Sequence, residues 1–474
     1  MTELPRGWER ARLADVAEVR LGRQRSPKNA TGDRMRPYLR AANVKWGGLD
    51  LSDVNEMAFT EAESETYELR PGDLLLGEAS GSPSEVGKPG QYKGEIDGCC
   101  FQNTLLRVRV PDALLPDFYE HYFREQALNG RFAAGSRGVG IHHLGAAALS
   151  DWPVPIPPTA EQERIVAAIE EAFSKLDAGE AGLRTVRQRL KRMREAVLAA
   201  AVTGRLVPQD PTDTPATKLL ADLGVRDLGA AELEVLPDGW SWAALDSLND
   251  PARPICYGIL KPGANTPDGV PYVEVRSLRT GRIDPVTLPR SHSDIEKAFA
   301  RSRLQPGDIT IAIRGTTGRV AIVPPALVGG NVSRDCARLA VIGVNPHYVQ
   351  LYLRGPIAQR FFAARVRGVA VKGINIGDLR RLPVALPPKD EQTRIVAEVD
   401  RQLSFIEACE RAVDVGLARS AALRRSVLKS AFEGRLVQQD PSDEPASVLL
   451  DRIRAARAAT AGKPKGIRAR KVRS

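Results

Sequence analysis

Two long segments of the chain place apolar residues at steps that alternate mainly between three and four positions. The first stripe consists of Ile165, Ile169, Ala172, Leu176, Leu183, Val186, Leu190, Met193 and Val197. The second stripe consists of Ile395, Val399, Leu403, Ile406, Val413, Leu423 and Val427. This spacing keeps apolar side chains on one helical face and is typical of a coiled-coil seam. A helix lying on an ordinary core would carry a similar stripe, but the symmetric positions of these two segments favour pairing with each other.

The two segments belong to a repeat that extends over most of the chain. The stretch that begins at Asp151 returns from Arg381, as DWPVPIPPTAEQERIVAAIE and RLPVALPPKDEQTRIVAEVD, and 381 − 151 = 230 positions is nearly half of the 474 residues. At the same spacing, the block from Ala201 returns from Ala431, as AVTGRLVPQDPTDTPATKLL and AFEGRLVQQDPSDEPASVLL. A repeat of this length indicates a duplicated domain with its connector, arranged with approximate two-fold symmetry.

Each half of the chain also contains short strand patterns. Apolar, β-branched runs flanked by Gly, Pro or Asp lie at Leu105–Val110, Asp308–Ile313 and Arg319–Pro324. Helical patterns follow them at Asp117–Ala134 and His347–Ala364. This mixture predicts an α/β (mixed α+β) fold for each module of about 150 residues.

Double prolines close each module, because proline is excluded from the interior of a helix but suits its first turn. Pro157–Pro158 and Pro387–Pro388 precede the two long helices, and Gly204 and Gly434 follow them. We therefore divide the chain into modules at residues 1–158 and 236–388, spacer helices at 159–205 and 389–435, a linker at 206–235, and a linker with a basic tail at 436–474. The tail at Lys463–Ser474 is expected to be disordered.

The charge balance favours a polyanionic partner. The net charge is +10, which attracts anions but does not define a fold. The 5 cysteines lack metal-binding spacing and are expected to be free thiols. Neither a membrane-spanning apolar run nor an amino-terminal signal pattern is evident, so the protein is expected to be cytoplasmic.

No catalytic constellation is evident in the sequence. The chain lacks the phosphate-binding loop G-x-x-x-x-G-K-[ST], the nucleophile elbow G-x-S-x-G and the zinc motif H-E-x-x-H. It also lacks an N-P-P-Y-type motif of adenine methyltransferases, and its histidines do not have metal-ligand spacing. The sequence therefore predicts a protein that is not an enzyme, binds no metal and acts by binding.

Candidate DNA-binding residues lie in loops punctuated by glycine. Glycine permits close approach of a backbone, while Arg and Lys bind guanine or phosphate and Asn reads adenine. Any one of these residues could be a solvated surface charge, but their matching positions in the two halves favour nucleic acid. The candidates in the first half are Arg20, Arg23, Arg25, Lys28, Asn29, Arg137, His142 and His143, and those in the second half are Tyr257, Lys261, Arg314, Arg319, Arg367, Lys372 and Asn375.

The ordered motifs resemble those of the specificity subunit of type I restriction-modification systems. They are LPxGW at Leu4 and Leu236, PGD at Pro71 and Pro306, PPxxEQxRIVA at Pro157 and Pro387, and GRLV-x-QDP at Gly204 and Gly434. The resemblance implies two target-recognition domains, at 1–158 and 236–388, that each read one half of a split DNA target. It also implies two long antiparallel coiled-coil helices that set the gap between the halves. Because the two modules have unlike loops, the implied target is asymmetric.

The resemblance further implies partners for this chain. These are double-stranded DNA, two methyltransferase subunits that carry S-adenosylmethionine, and restriction (translocase) subunits that use ATP and Mg²⁺; no cofactor is implied for the chain itself, and no membrane. The matched positions implied to bind partner subunits are Pro157, Pro158, Glu161, Gln162, Ile165, Pro387, Pro388, Glu391, Gln392 and Ile395.

Two alternatives remain open at this stage. A related type II system would use the same scaffold with one partner that both methylates and cuts DNA. A protein-interaction adaptor would carry its basic charge without binding nucleic acid. A gel shift with random duplexes separates the adaptor from the DNA-binding proteins, because the adaptor would lack DNA affinity even with the methyltransferase present.

Overall fold

The computed structural model describes residues 4–134, 140–229, 234–279, 281–367 and 373–461, with side chains to residue 459. The predicted disordered tail, Lys463–Ser474, lies outside these residues. The chain divides into two compact units, of which unit 1 contains Met1–Gly182 and Val415–Ser474 and unit 2 contains Leu183–Asp414. Each unit holds one module and one half of each long helix, and each is described by itself.

Both modules mix short strands with short helices, and two helices are far longer than the rest. The helices are α1 (Leu13–Val16), α2 (Glu61–Tyr67), α3 (Pro116–Leu128), α4 (Ala146–Ser150), α5 (Thr159–Val202), α6 (Ala216–Asp222), α7 (Ser293–Lys297), α8 (Pro346–Arg354), α9 (Pro356–Arg365), α10 (Ile376–Arg380), α11 (Lys389–Phe432) and α12 (Ala446–Ala461). The strands of the first module are β1 (Glu9–Arg12), β2 (Glu18–Leu21), β3 (Met35–Leu39), β4 (Val44–Lys45), β5 (Gly48–Leu49), β6 (Asn55–Ala58), β7 (Leu74–Gly77), β8 (Ala79–Ser80), β9 (Pro89–Gln91), β10 (Cys100–Phe101), β11 (Leu105–Arg109), β12 (His142–His143) and β13 (Pro153–Ile156). Those of the second module are β14 (Ser241–Ala244), β15 (Cys256–Tyr257), β16 (Val270–Val273), β17 (Arg290–Ser291), β18 (Ile309–Ala312), β19 (Val320–Ile322), β20 (Asn331–Val332), β21 (Cys336–Leu339) and β22 (Pro383–Leu386).

The main sheets of the two modules have the same topology. The first module has a four-stranded antiparallel sheet in the order β2-β11-β7-β9 and a three-stranded sheet in the order β10-β3-β6, in which β10 is parallel to β3. The second module repeats these sheets as β15-β21-β18-β19 and β20-β16-β17, with β20 parallel to β16. In each module the first strand pairs with the last, β1 with β13 and β14 with β22. The predicted mixed α+β fold and its internal repeat are confirmed.

The central strand of each four-stranded sheet is buried on both faces. In β11, Leu106 and Val108 pack into the core beneath α3, while Leu105 packs on the opposite side of the sheet. Arg107 shares the face of Leu105 and is buried, as is Arg338 at the equivalent position of β21. Arg107 donates to two main-chain carbonyls and to a carboxylate, and Arg338 donates to three main-chain carbonyls. Buried guanidinium groups are tolerated here because most of their N–H groups have acceptors.

One predicted helix is interrupted. The sequence predicts a continuous helix over His347–Ala364, whereas the structure has α8 and α9 with Gly355 between them. Pro356 begins α9 because it lacks the N–H group that would continue α8. The predicted strands at Leu105–Val110, Asp308–Ile313 and Arg319–Pro324 are confirmed as β11, β18 and β19.

The long helices α5 and α11 run antiparallel. Each contains 44 residues, which corresponds to about 66 Å of helix. Positions that rise along α5 contact positions that fall along α11 within each unit. These contacts are Asp177–Arg424 and Glu180–Ser420 in unit 1, and Arg187–Asp414 and Arg194–Glu410 in unit 2.

The predicted seam between the long helices is only partly buried. Val186, Met193 and Leu423 are exposed, so the heptad prediction is wrong at these positions. Phe173 and Leu428, which the predicted stripe omitted, are buried instead. Part of the reason is that the middle of the pair is held by charged and hydroxyl contacts, which take the place of apolar packing. Predicted seam residues that are buried are Ile165, Ile169, Leu190, Val197, Ile395, Val399, Leu403, Ile406 and Val413.

The segments after the long helices pack against the LPxGW turns. In unit 2 the Ala216 N–H donates to the Gly239 carbonyl at 2.8 Å, and in unit 1 the Ala446 N–H donates to the Gly7 carbonyl at 3.1 Å. The sequence predicts linkers here, but α6 and α12 form because their apolar residues are buried against the module beside them. Each module is therefore completed by a segment that lies outside its predicted boundaries.

Candidate nucleic-acid interface

The predicted DNA-binding loops meet at one end of the four-stranded sheet in each module. Because β2 and β7 run antiparallel to the central strand β11, the loops that follow them lie beside the turn that precedes β11. In the second module, β15 and β18 stand in the same relation to β21. We call these two regions loop edge 1 (residues 22–29, 78–80, 102–104 and 142–144) and loop edge 2 (residues 258–261, 313–319, 333–335, 367 and 373–375).

The same main-chain hydrogen bonds join the first two loops of each edge. In loop edge 1 the Arg23 N–H donates to the Phe101 carbonyl at 3.1 Å, and the Asn103 N–H donates to the Arg23 carbonyl at 3.0 Å. The equivalent bonds of loop edge 2 run from Ile259 to Val332 at 2.8 Å and from Arg334 to Ile259 at 2.9 Å.

A second pair of equivalent bonds attaches the remaining loop. In loop edge 1 the Glu78 N–H donates to the Thr104 carbonyl at 3.0 Å, and the Leu144 N–H donates to the Glu78 carbonyl at 2.7 Å. In loop edge 2 the matching bonds run from Ile313 to Asp335 at 2.8 Å and from Ile374 to Ile313 at 2.7 Å. The two edges thus share one backbone framework.

A glycine in each edge makes this close approach possible. A Cβ atom at Gly22 would lie 2.2 Å from the Gln102 carbonyl oxygen, and one at Gly258 would lie 1.9 Å from the Val332 carbonyl oxygen. Carbon and oxygen atoms cannot approach so closely, so both positions require glycine. Glycine is evident in these loops from the sequence, but only the structure shows the steric reason for it.

Arg23 is tied to its own module. Its Nε donates to Glu63 at 2.8 Å, its Nη1 donates to the Ala58 carbonyl at 2.5 Å, and its guanidinium lies 4.8 Å from the Phe59 ring centre. Asn29 lies beside the same guanidinium. Arg23 therefore positions the loop, and its N–H groups are largely occupied.

Other predicted side chains also have partners within the chain. Asn375 caps α10 by accepting from the Gly377 N–H at 2.8 Å, which is the usual role of an N-cap asparagine. The remaining contacts are Arg20 with Glu18 at 2.8 Å, His143 with Glu78 at 3.1 Å, and Tyr257 with Arg301 at 5.9 Å from the ring centre. His142 is half-buried in β12 and also interacts within the chain.

A further group of predicted side chains has no hydrogen-bonding or ionic partner among the described residues. All except the half-buried Arg319 are exposed to solvent. Arg314 and Arg367 are brought together by their main-chain bridges to Gly373. This unpaired group consists of Arg25, Lys28, Lys261, Arg314, Arg319 and Arg367. Two other predicted residues, Arg137 and Lys372, lie outside the described part of the chain.

The turn before the central strand was missed by the sequence analysis. In loop edge 2 this turn carries Arg334, which is exposed and only weakly paired with Asp335 at 3.7 Å. The matching turn of loop edge 1 carries the half-buried Gln102 and Asn103. The repeat could have revealed these turns, since they occupy corresponding positions between the PGD motif and the α3 or α8 helix of each module.

The residues matched to partner binding are buried within their own units. Gln162 donates to the Pro157 carbonyl at 2.9 Å and accepts from the N–H of Leu115, the residue that precedes α3, at 3.2 Å. Gln392 repeats both bonds with Pro387 at 3.0 Å and with Asn345, which begins α8, at 2.8 Å. Each glutamine therefore fixes the start of a long helix to a helix of the adjoining module. Ile165 and Ile395 are also buried, as are both proline pairs. The contact of these residues with partner subunits stays a prediction.

The glutamates of the same motif are buried beside tryptophan. Glu391 accepts from the Trp240 indole N–H at 3.0 Å, and the Oε1 atoms of Glu161 and Glu391 have no hydrogen-bond partner among the described residues. Burial raises the pKa of both carboxyl groups. The LPxGW and PPxxEQ motifs thus meet in unit 2, where Trp240 belongs to the first and Glu391 to the second.

Two further motif residues have structural roles. Asp73 of the first PGD motif binds Arg109 at 2.6 Å, and Asp308 of the second binds Arg253 at 2.6 Å. Both aspartates also accept the N–H of the residue three positions earlier, at 2.8 Å. These motifs therefore stabilise turns at the end of the sheet opposite the loop edges.

The described residues contain no group of three or more His, Cys, Asp or Glu side chains placed to hold a metal ion. The free cysteines are mostly buried, and burial raises the pKa of Cys99, Cys100 and Cys336 to about 12. No helix in the described part of the chain is both long and apolar enough to span a membrane.

The chain is similar to known specificity subunits. The family model described as "Type I restriction modification DNA specificity domain" matches residues 5–184 and 265–410. The EcoBI specificity subunit of Escherichia coli is 31% identical over 414 residues, which cover 84% of this chain and 82% of that protein. The EcoKI specificity subunit of Escherichia coli is 26% identical over 487 residues, which cover 97% and 98%.

Solved structures have the same fold. A chain from a study of complex assembly and conformational transition in a type I R-M system aligns with a TM-score of 0.69 at 19% identity, over 92% of this chain and 100% of that one. The HsdS subunit from Thermoanaerobacter tengcongensis aligns with a TM-score of 0.53 at 20% identity, over 92% and 98%. From its matched modules and its full-length relatives, the chain belongs to the family of type I restriction enzyme specificity subunits.

Proposed function

We propose that this chain recognises a split double-stranded DNA target, with one half-site bound by each loop edge. The observation that carries this proposal is the shared backbone framework of the two edges, which holds different side chains at equivalent positions. Base pairs are distinguished by donors, acceptors and methyl groups in the grooves, so the identity of the presented side chain decides which base is read. A common framework with exchanged side chains is suited to reading two different sequences in the same manner.

The exchanged positions support an asymmetric target. The turn before the central strand carries an amide pair in one module and a cation in the other, and these prefer adenine and guanine respectively. Two unlike edges bind two unlike half-sites. The equivalent pairs are Arg23 and Ile259, Gln102 and Ser333, Asn103 and Arg334, Glu78 and Ile313, and His143 and Gly373.

The unpaired cations of the edges supply contacts to phosphate. Lys and Arg side chains that neutralise phosphates release counterions, so the affinity falls as salt rises. Arg25, Lys28, Lys261, Arg314 and Arg367 are exposed and lack partners among the described residues, so no intramolecular contact has to be broken. Because both modules bind one duplex, the second contact forms at a high effective concentration.

Catalysis is assigned in this proposal to partner subunits. A methyltransferase that carries S-adenosylmethionine modifies adenine, and a restriction subunit that uses ATP and Mg²⁺ translocates and cuts DNA. The chain supplies recognition and assembly, in the cytoplasm. Support comes from the specificity-subunit relatives and from the buried glutamine of each PPxxEQ motif, which makes the start of each long helix a rigid element for assembly.

We further propose that the paired helices α5 and α11 fix the gap between the half-sites. Their contacts within each unit are specific ion pairs and buried apolar residues, so the register between them is defined. Insertion of seven residues into both helices at equivalent positions lengthens each by about 10 Å, which corresponds to about three base pairs. An unchanged gap in such a variant would contradict this part of the proposal.

Mapping of methylated adenines tests the proposed recognition directly. The chain is co-expressed with its methyltransferase subunit, and methylated sites are identified across the host genome. The parent is expected to give one asymmetric motif made of two separated halves. Arg334→Ala should relax one half only, and Asn103→Ala should relax the other half only, by about 1–3 kcal/mol per lost base contact.

Arg381→Ala is the matched control for these variants. Arg381 is exposed, lies in the second module outside both loop edges, and makes only a surface contact with Asp378. Its loss should leave the motif unchanged. Equal relaxation of both halves by the loop-edge variants, or methylation without sequence preference in the parent, would refute the assignment of one half-site to each edge.

A further inference from the structure

A cleft of about 800 Å³ lies in unit 2 between the second module and the long helices. One wall is formed by α8, another by the facing parts of α5 and α11, and the floor by the turns at residues 281–283, 306–307 and 322–325. The apolar side chains of Ile283, Leu351, Val396 and Leu403 line it together with several charged groups. The cleft therefore lies within one unit and combines apolar walls with charge.

Three arginines converge in this cleft, which also contains the carboxylates of Asp400 and Glu407 and the His347 side chain. Arg194 is paired with Glu410 at 2.9 Å, and Arg282 also interacts within the chain. Arg354 is half-buried and makes no hydrogen bond or salt bridge among the described residues, although the nearby charge of Glu407 acts on it. Burial lowers the pKa of Arg354, the nearby charge of Arg194 lowers it further, and the carboxylate of Glu407 offsets part of this decrease. The site thus contains a cation that lacks an acceptor.

The first module shows what the second one lacks. Arg124 occupies the position equivalent to Arg354, and it binds Glu120 one helical turn earlier at 2.7 Å. In the second module the equivalent of Glu120 is Gln350, which donates instead to the Gly281 carbonyl at 3.0 Å. Exchange of one carboxylate for an amide has therefore left the second arginine without the acceptor that its counterpart has.

The cleft lies away from the surface assigned to DNA. The hairpin of β18 and β19 carries Arg314 and Arg319 of loop edge 2 at one end, and Gly307 and Val323 of the cleft at the other. Four residues of β18 separate the two ends, which corresponds to about 13 Å. Apolar walls also suit a peptide segment better than a sugar-phosphate backbone, whose surface is strongly hydrated.

We propose that this cleft binds an acidic side chain from an apolar segment of a partner protein, with Arg354 as the main hydrogen-bond donor to that side chain. The guanidinium forms paired hydrogen bonds with a carboxylate, and Arg194 and Arg282 reinforce the positive potential around it. The flanking apolar residues of the segment pack against Ile283 and Leu403. This inference rests on the proposed function for the identity of the partner, the methyltransferase subunit.

Binding of the purified methyltransferase subunit to the full-length chain tests this proposal. Arg354→Gln removes the cation, and Gln350→Glu supplies the internal carboxylate that the first module already has. Both variants should weaken the methyltransferase complex about tenfold or more, as expected for the loss of a charged hydrogen-bonded contact. Arg381→Gln removes one exposed charge elsewhere in the second module and should leave the affinity unchanged.

Three further measurements make the result decisive. Thermal unfolding should show Arg354→Gln to be at least as stable as the parent, because Arg354 makes no hydrogen bond or salt bridge among the described residues. Gln350→Glu exchanges its hydrogen bond to the Gly281 carbonyl for an ion pair with Arg354, so its melting temperature should stay close to that of the parent. An unaltered methyltransferase affinity in both variants would overturn the proposal, as would a loss confined to duplex DNA binding, which would indicate a phosphate-backbone site. Thermal unfolding in inorganic sulfate tests for a simple anion site. If the variants lose only the stabilisation that sulfate gives the parent and keep their methyltransferase affinity, the cleft binds an adventitious ion only and the proposal is overturned. Methylome mapping of the parent complex tests the proposed function separately. A parent complex that does not methylate specific sites would contradict the proposed function, whatever the affinities of the variants for the methyltransferase are.

Discussion

The glutamine of the PPxxEQ motif offers the sharpest test of how the fold is held together. Gln392→Leu keeps the size of the side chain but removes both of its hydrogen bonds. The Pro387 carbonyl, now 3.0 Å from the Gln392 amide, would stay buried without this partner, and the partly buried Asn345 N–H would lose its acceptor at 2.8 Å. A buried unpaired group costs about 1–3 kcal/mol and a partly exposed one costs less, so the expected loss is about 2–4 kcal/mol. A typical domain has only about 5–15 kcal/mol of stability, so the effect is large.

The assay is urea unfolding of the full-length chain, combined with hydrogen exchange to locate the destabilised unit. Gln162→Leu should give a similar loss in unit 1, because Gln162 makes the same two bonds at 2.9 and 3.2 Å. Gln188→Leu is the control, since Gln188 is exposed on α5 and its loss should change stability by less than about 0.5 kcal/mol. If Gln392→Leu were as harmless as the control, the assignment of a structural role to this motif would be refuted.

Three other predictions follow from buried groups. Burial raises the pKa of Glu391, so this carboxyl group keeps its proton to higher pH in the folded state than in the unfolded chain. The contribution of Glu391 to stability therefore falls as the pH rises above 4.5. Glu391→Gln should abolish this contribution in urea titrations at different pH. Burial lowers the pKa of His121 from 6.5 to about 3, so stability should fall as pH drops below 6.5, by up to about 1.4 kcal/mol per pH unit. His121→Leu, which installs the residue type found at the equivalent Leu351, should remove this loss in the same measurement. Gly258→Ala should lower the free energy of unfolding by about 1–3 kcal/mol and relax one half-site, because the new Cβ would lie 1.9 Å from a main-chain oxygen. Gly47→Ala is the control, because open space surrounds Gly47, and it should change neither stability nor the half-site.

The repeat made much of the architecture predictable from the sequence. Similar motifs 230 positions apart predict two modules and two equivalent helices, and the structure contains both. Hydrophobic periodicity was less reliable where polar contacts replace apolar packing. Periodicity placed Val186 and Met193 in the seam, but both are exposed. It does not reveal that Arg187 and Arg194 connect this part of α5 to α11 through ion pairs with carboxylates of α11.

The candidate site was only partly predictable, for a different physical reason. Residue type indicates what a side chain can bind but not whether it is already occupied. Arg23 and Arg25 are alike in the sequence, yet Arg23 is bound to Glu63 and lies against an aromatic ring while Arg25 is free among the described residues. Arg334 was missed because its turn has no glycine or basic cluster, and only its hydrogen bond to the Ile259 carbonyl reveals its place in loop edge 2.

The separation between buried framework residues and exposed loop residues supports the proposal that one scaffold carries two specificities. The residues that hold each loop edge are buried or are main-chain atoms: the glycine at its base, the arginine inside the central strand and the carbonyls between the loops. None of these depends on what the exposed side chains of the loops are. A change such as Asn103 to the arginine found at the equivalent position therefore alters the groups offered to DNA while leaving every framework bond in place. The proposed recognition can therefore vary at little cost in stability, because the framework groups are buried or belong to the main chain.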